Sequence, residues 1–327
     1  MTWTWLTPQV IVMITVALWA LVLLVILATL IAHVVRVSRA DRRERLDAVA
    51  RPLVAALVLE ESDGAATHDA LARARGALGD RVDERLLTLL DVVRGEGRDR
   101  LVAMLVERGH PDRLRRRARS HRSSTRARAV RQLGQLGLDR DADLLLAATG
   151  DRSAIVRSVA ARALVAHAGA RSVDAILALV REDRSIPALV LMNALVQIGE
   201  TDPEGLGSIR AGLDDPSARV RASCARVLGE LTSAADGDRL AQLVSRDPAP
   251  SVRFAAATAL TRVGTAAHVP ALLEATRTVW APLRVECVRA LQALPPAVSA
   301  DALADIATRA DPVLATVLTQ PAPRTEP

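Results

Sequence analysis

The sequence predicts an all-α chain in which one transmembrane helix precedes an α-solenoid of helical hairpins. Three observations carry that expectation. Leucines 133, 164, 195, 228, 260 and 291 recur 31, 31, 33, 32 and 31 residues apart. Around them the apolar residues return with a period near 3.6, the signature of amphipathic helices. Ahead of Arg36 there is no Asp, Glu, Lys or Arg in a segment that is otherwise almost wholly apolar.

The elements follow in order. Residues 1–9 form a short tail carrying Trp3 and Trp5, placed where an interfacial aromatic belt would sit. Residues 10–35 are the expected transmembrane helix. Val10–Val34 spans 25 residues, of which 16 are Leu, Ile or Val, and as a helix it is about 37 Å long, enough to cross a bilayer with some tilt. A cleaved signal peptide would want a basic start, a shorter apolar core and a small-residue cleavage site. Here arginines follow the apolar run at once, so an uncleaved anchor is expected. Residues 36–45, RVSRADRRER, hold five Arg against two acids. The positive-inside rule then puts the N-terminus outside and the C-terminal domain in the cytoplasm of a single-pass cell-membrane protein.

Residues 36–110 read as juxtamembrane and N-terminal helices, either degenerate repeats or a cap, and residues 111–311 as about six repeats. Compare AIVRSVAARAL (154–164), ARVRASCARVL (218–228), PSVRFAAATAL (250–260) and APLRVECVRAL (281–291). Each is followed by a Gly- or Asp-bearing break and a second, shorter helical run. No single copy can bury its apolar face, so neighbours must stack. The pattern D-x-x-x-x-V-R-x-x-A-x-x-A-L resembles short bacterial HEAT repeats, of the kind found in bilin-lyase-like proteins. Asp151 with Arg157, Asp215 with Arg221, and Asp247 with Arg253 reproduce its six-residue spacing. The resemblance implies a ladder of ion pairs between turns and helices, made by those residues. One copy departs, with Ala188 at the ladder position, so an interruption is expected there. Residues 312–327 are the C-terminal tail, expected to be partly disordered.

Composition narrows the chemistry. The chain of 327 residues has 43 basic residues, all Arg, against 37 acids, and aromatics make up only 2%. With no lysine, Schiff-base and P-loop mechanisms are excluded. Cys224 and Cys287 occupy the position where other copies have Ala129, Ala160 and Ala256, a small packing site. The six histidines are scattered, without metal-ligand spacing, and read as surface or helix-end residues. Asp139 and Asp141 resemble the start of a calcium loop, but Leu144 and Gly150 stand where Gly and Glu are required, so helix capping is the expected role. No catalytic, cofactor-binding or metal-binding residue is assigned, and neither a cofactor nor a small-molecule substrate is expected.

One feature exceeds the repeat. Arg113–Arg131 holds nine arginines and no acid. Arg126 and Arg131 fall on recurring repeat positions, whereas Arg113, Arg115, Arg116, Arg117, Arg119 and Arg122 do not. Three readings stay open for these six: a solvated helix edge, a docking patch for an acidic protein surface or anionic inner leaflet, or a nucleic-acid contact. The last is disfavoured because no aromatics are interleaved for stacking. The function expected is a membrane-anchored scaffold or adaptor, not an enzyme, binding a protein partner at the cytoplasmic face. The alternative is an accessory subunit of an enzyme complex, or lipid or nucleic-acid binding through Arg113–Arg122.

Overall fold

The computed structural model describes residues 8–59, 64–167, 169–182, 185–309 and 311–320. Among them there are 18 α-helices and no strand, and the chain divides into two compact units, Met1–His110 and Pro111–Pro327. Trp3, Trp5 and residues 321–327 of the expected tail lie outside the described residues.

The first unit begins with α1 (Pro8–Leu59), followed by α2 (Gly64–Arg73), α3 (Gly76–Leu89) and α4 (Glu96–Glu107). α1 is one unbroken helix, so it continues well past the span expected at 10–35. Its two parts have different surroundings. From Val16 to Val34 every apolar side chain is exposed, Trp19 and Leu23 by 70% and 68%. Beyond it, Ala50 and Val54 are buried against the small bundle whose core includes Leu71, Val82, Leu86, Leu101 and Leu105. Asp47 ties this part of α1 to α3. It accepts from Arg81 Nε at 2.7 Å and from Arg85 Nε at 3.0 Å. The Arg81 hydrogen bond holds the Asp47 carboxyl down at about 2. Deeper in the bundle, Arg108 Nε donates to Asp83 Oδ1 at 2.6 Å, and His110 Nδ1 lies 3.0 Å from Asp83 Oδ2. Burial works to raise the Asp83 pKa, but His110 and Arg108 outweigh it and keep the carboxyl below its ordinary value. The sequence places His110 at the surface or a helix end. It is at a helix end, and it is buried.

The second unit follows α5 (His110–Ala118) with six hairpins. They pair α6 (Ser123–Leu136) with α7 (Ala142–Ala148), α8 (Ala154–Ala163) with α9 (Ala170–Glu182), and α10 (Ala188–Thr201) with α11 (Pro203–Ala211). Next come α12 (Ala218–Glu230) with α13 (Gly237–Arg246), α14 (Pro250–Val263) with α15 (Val269–Ala275), and α16 (Ala281–Ala293) with α17 (Pro296–Thr308). The first helix of each hairpin packs beside the first helix of the next, from α6 through to α16. This is an all-α solenoid. Its six recurring leucines are each 0% exposed, which explains their strict period. Replacing a side chain so buried by Ala typically costs about 2–5 kcal/mol. A last helix, α18 (Pro312–Leu318), lies inside the segment expected as tail. It forms because Asp311 caps it, accepting from Val313 N at 2.9 Å, and because Leu314 and Val317 find burial.

One position, the residue after each recurring leucine, meets the next first helix closely where it is glycine. Gly134 and Gly229 occupy it in α6 and α12. A Cβ on Gly134 would meet the Ala163 Cβ at 2.5 Å, and one on Gly229 the Ala259 Cα and Cβ at 2.7 Å. These helix pairs touch backbone to backbone. The same position holds Val165, just past the end of α8, and Val196 in α10. A groove of about 270 Å³ opens there, lined by Arg162, Val165, Leu189, Val190, Asn193 and Gln197. Elsewhere Gly137 is used for its conformation. At φ 66° it ends α6 in the left-handed region and returns its N–H to the Leu133 carbonyl.

Candidate interaction surface

The arginine network sorts the charged residues into those the fold consumes and those it leaves to solvent. The ladder arginines make two kinds of contact. Three reach back six residues to a backbone carbonyl in their own turn: Arg126 Nη1 to Ser120 O at 2.8 Å, Arg157 Nη1 to Asp151 O at 2.7 Å, and Arg221 Nη1 to Asp215 O at 2.8 Å. Each also reaches forward. Arg126 Nε and Nη2 both donate to Asp151 at 2.8 Å, and Arg221 Nε and Nη2 to Asp247 at 2.7 and 2.9 Å. The ion pair therefore joins one repeat to the next, while the six-residue spacing within a repeat reflects the carbonyl contact. This explains why Ser120 serves ahead of Arg126: its carbonyl accepts from Arg126, and its Oγ accepts from Arg122 N at 3.3 Å, the turn contact an Asp makes elsewhere.

The acids do double duty. Asp151 accepts from Ser153 N and Asp247 from Ala249 N, each at 2.8 Å, so each also closes the turn that starts its own helix. The Arg126 hydrogen bond is the leading cause that lowers the Asp151 pKa. For Asp247, burial pushes the carboxyl upward, and Arg221 with the Ala249 N–H outweighs it, leaving it below its ordinary value. Arg284 completes the series with Asp311, Nη2 to Oδ2 at 3.3 Å. The interruption expected at Ala188 takes an unexpected form. Asp215, which would have received an arginine there, is met by Arg181 Nη2 at 2.5 Å from the end of α9.

A second, shorter ladder links the other layer and was missed in the sequence. Arg115 Nε donates to Asp141 Oδ1 at 2.6 Å, and Arg210 Nε to Asp236 Oδ1 at 2.8 Å. Both pairs are 26 residues apart, the same interval as Arg221 and Asp247, and that interval is the signal that would have revealed them. Two expectations are corrected as a result. Arg115 is not surplus, since it bridges Asp141 and Asp112 from α5. Asp141 is not a helix cap: its side chain makes no cap hydrogen bond and is spent, fully buried, on Arg115.

What remains of the cluster is smaller and more definite. Arg113 is half-buried, while Arg116, Arg117, Arg119 and Arg122 are exposed, and these four form no ion pair among the described residues. Arg128 and Arg131 on α6 are exposed and likewise unpaired among those residues. Arg117 and Arg128 face one another across a cleft of about 260 Å³ lined also by Ser124, Thr125, Ala129 and Gln132. α6 begins at this cleft with no acid in its first turn and no side-chain cap. Two guanidinium groups, two hydroxyls and the first N–H groups of a 14-residue helix make this edge suited to anionic groups. The two cysteines are sequestered from any such surface. Both are 0% exposed, and burial pushes each thiol up to about 12. Among the described residues no group of three or more His, Cys, Asp or Glu is placed to hold a metal ion.

Residues 173–260 match the family model described as HEAT repeats. No curated protein matches the chain. Among solved structures it is similar to human deoxyhypusine hydroxylase in complex with glycerol at 20% identity and a TM-score of 0.30, covering 78% of this chain and 98% of that one. It is similar also to the complex of CpcE and CpcF of phycocyanin lyase from Nostoc sp. PCC7120, at 18% identity, TM-score 0.30, and 72% and 92% coverage. An engineered protein gives 17% identity, TM-score 0.35, and 81% and 86% coverage. At these identities and scores the likenesses carry nothing about activity.

Proposed function

From the premise that this is a HEAT-repeat protein, we propose that it is a membrane-anchored scaffold that gathers a protein partner at the cytoplasmic face. The observation that carries the reading is the division of α1. One stretch is long and apolar enough to cross a membrane and has no part of its apolar surface buried in the chain. The stretch beyond it is built into a folded unit. A helix with this surface is stable in hydrocarbon and a liability in water. The arginines of residues 36–45 support a cytoplasmic solenoid, and anchoring raises the effective concentration of that solenoid toward other membrane components. Arg116, Arg117, Arg119 and Arg122, with Arg113 beside them, are the proposed contact for an acidic partner surface. The Asp151, Arg157, Asp215, Arg221, Asp247 and Arg253 positions are proposed to set the stacking register, not to bind.

The test uses the silence of the native thiols. With Cys224 and Cys287 buried, single cysteines introduced as Thr2→Cys or Ser251→Cys report topology in the full chain. A membrane-impermeant maleimide applied to intact cells labels Thr2→Cys, and labels Ser251→Cys only after lysis. The reverse pattern refutes the orientation, and release of the chain by alkaline extraction refutes the anchor. A photo-crosslinker at Arg119 captures the partner, and changing Arg116, Arg117 and Arg122 to Gln removes the adduct. An adduct unaffected by those changes refutes the assigned contact. The exposed arginines also favour a second reading, contact with anionic lipid, at about 1 kcal/mol for each side chain near the surface.

A further inference from the structure

The junction ahead of α16 departs from the other repeat junctions in two ways at once. Asp215, Asp247 and Asp311 mark a 32-residue register, and the residue due at this junction is Val279. Its side chain is 95% exposed. Arg253, the ladder arginine of α14, therefore meets no carboxylate among the described residues. Its Nε turns instead to the Val244 carbonyl at 2.9 Å, nine residues back. The two defects of the ladder are thus treated differently by the fold. Where Ala188 removes an arginine, Arg181 supplies another to Asp215. Where Val279 removes an acid, no carboxylate among the described residues hydrogen-bonds to Arg253, and its charge is felt by Asp247 of its own turn.

The second departure is aromatic. Trp280 follows Val279 at the start of α16, and its ring stands edge-on to Phe254, with centroids 5.8 Å apart and planes at 61°. Phe254 is the neighbour of Arg253 in α14. The contact fixes the indole while leaving it 38% exposed. One junction therefore holds a guanidinium without its carboxylate, a valine almost wholly in water and a tryptophan already fixed in place. The other arginines flanking the junction are engaged, Arg277 with Glu274 and Arg284 with Asp311. A single cation with an open ladder position beside apolar surface suits one carboxylate next to one apolar side chain, and does not suit a polyphosphate chain.

We infer that this junction is a docking site for a partner polypeptide that presents an Asp or Glu beside an apolar residue. The incoming carboxylate completes the rung at Arg253 with the paired donation seen between Arg221 and Asp247. The apolar neighbour packs on Val279 and Trp280, where a ring held in advance loses little freedom on binding. The inference rests on the scaffold reading and gives it a partner chemistry at a site apart from the arginine cluster.

The experiment compares the full chain in detergent micelles with its Val279→Asp and Arg253→Gln variants. Val279→Asp supplies the missing acid from within the chain. Its unfolding temperature is expected to rise by about 2–4 °C, an arm that needs no partner. No rise means that an acid at this junction does not reach Arg253, and overturns the inference. A library of random heptapeptides is then panned on the wild type. The retained peptides are expected to carry Asp or Glu next to an apolar residue and to bind both variants at least about tenfold more weakly, a loss of about 1.4 kcal/mol. Peptides with no acidic preference, acidic peptides that bind Val279→Asp undiminished, or no retained peptide overturn it. Self-association abolished by Val279→Asp would assign the site to a second copy, and overturns it too. Crosslinking at Arg119 stays intact in both variants if only this inference fails, and is lost from the wild type if the scaffold reading fails.

Discussion

Asp247 is the most deeply buried acid of the ladder, and its removal should be felt beyond its own repeat. Its side chain is 3% exposed, it accepts from Arg221 at 2.7 and 2.9 Å, and it accepts from Ala249 N at 2.8 Å. Asp247→Ala deletes three hydrogen bonds, two of them charge-assisted, and leaves Arg221, 13% exposed, without its counterion. Breaking a buried pair from one side costs about 3–5 kcal/mol. The partial exposure of Arg221 discounts this toward about 2–3 kcal/mol, because water partly solvates the stranded cation. For a unit of this size that is a fall of about 4–12 °C in unfolding temperature. The assay is a double-mutant cycle, with Asp247→Ala, Arg221→Ala and both together, followed by circular dichroism at 222 nm during thermal and urea unfolding. The double variant should lose less than the sum of the singles, by about 1–3 kcal/mol. Additive losses, or an Asp247→Ala cost within about 0.5 kcal/mol of zero, would show that the rung is an accident of geometry.

Two further outcomes follow from the same contacts. Gly229→Ala gains about 1 kcal/mol of helix propensity, but its Cβ falls 2.7 Å from the Ala259 backbone, where overpacking costs about 1–3 kcal/mol. The net should be destabilising by differential scanning fluorimetry, whereas Gly207→Ala, with nothing within 4 Å of its Cβ, should stabilise; equal shifts at the two sites would refute the close approach. In acid the sign is set by the depressed carboxyls of Asp151, Asp215 and Asp247. Each is lowered in the folded chain from an ordinary value of 3.8, so its contribution is complete above that pH and is lost as pH falls through the lower, folded value. Unfolding temperature should therefore be level down to about the ordinary carboxylate range and drop below it, and a chain carrying Asp151→Asn, Asp215→Asn and Asp247→Asn should lose part of that drop; an undiminished drop in the triple variant would place the acid sensitivity elsewhere.

Much of this architecture was legible because the sequence repeats itself. A residue that must be buried at one fixed place in every hairpin leaves a period, and the six leucines show it without reference to structure. The ladder residues were legible as types but not as partners. Spacing within a repeat pointed from Asp151 to Arg157, whereas the carboxylate that Arg126 holds is the one in the following turn. That choice depends on how far one hairpin advances on the next, which no local pattern encodes. Arg115 looked surplus for a similar reason. The buried acid that it holds, Asp141, lies 26 residues on, beyond a whole helix, where no local pattern points. The helix of the expected span runs on past residue 35 because the charged residues that end a membrane span do not end a helix. Arg36–Arg45 are good helix formers, and Ala50 and Val54 give the continuation something to pack on. The capped helix α18 escaped notice because a seven-residue helix has too few turns to display a period.

The alternation of glycine and valine at the helix-contact position has a mechanical side. Where Gly134 and Gly229 let backbones meet, two first helices are coupled with almost no side chain between them, and relative sliding must drive atoms together. Where Val165 stands, a branched side chain lines an open groove, which can yield without collision. The array is then not a uniform rod but two stiff blocks, α6–α8 and α12–α14, joined through a compliant middle at α10. Tension along the array would be taken up there, so elasticity would be a property of two side chains. Exchanging both valines for glycine should convert a spring into a strut.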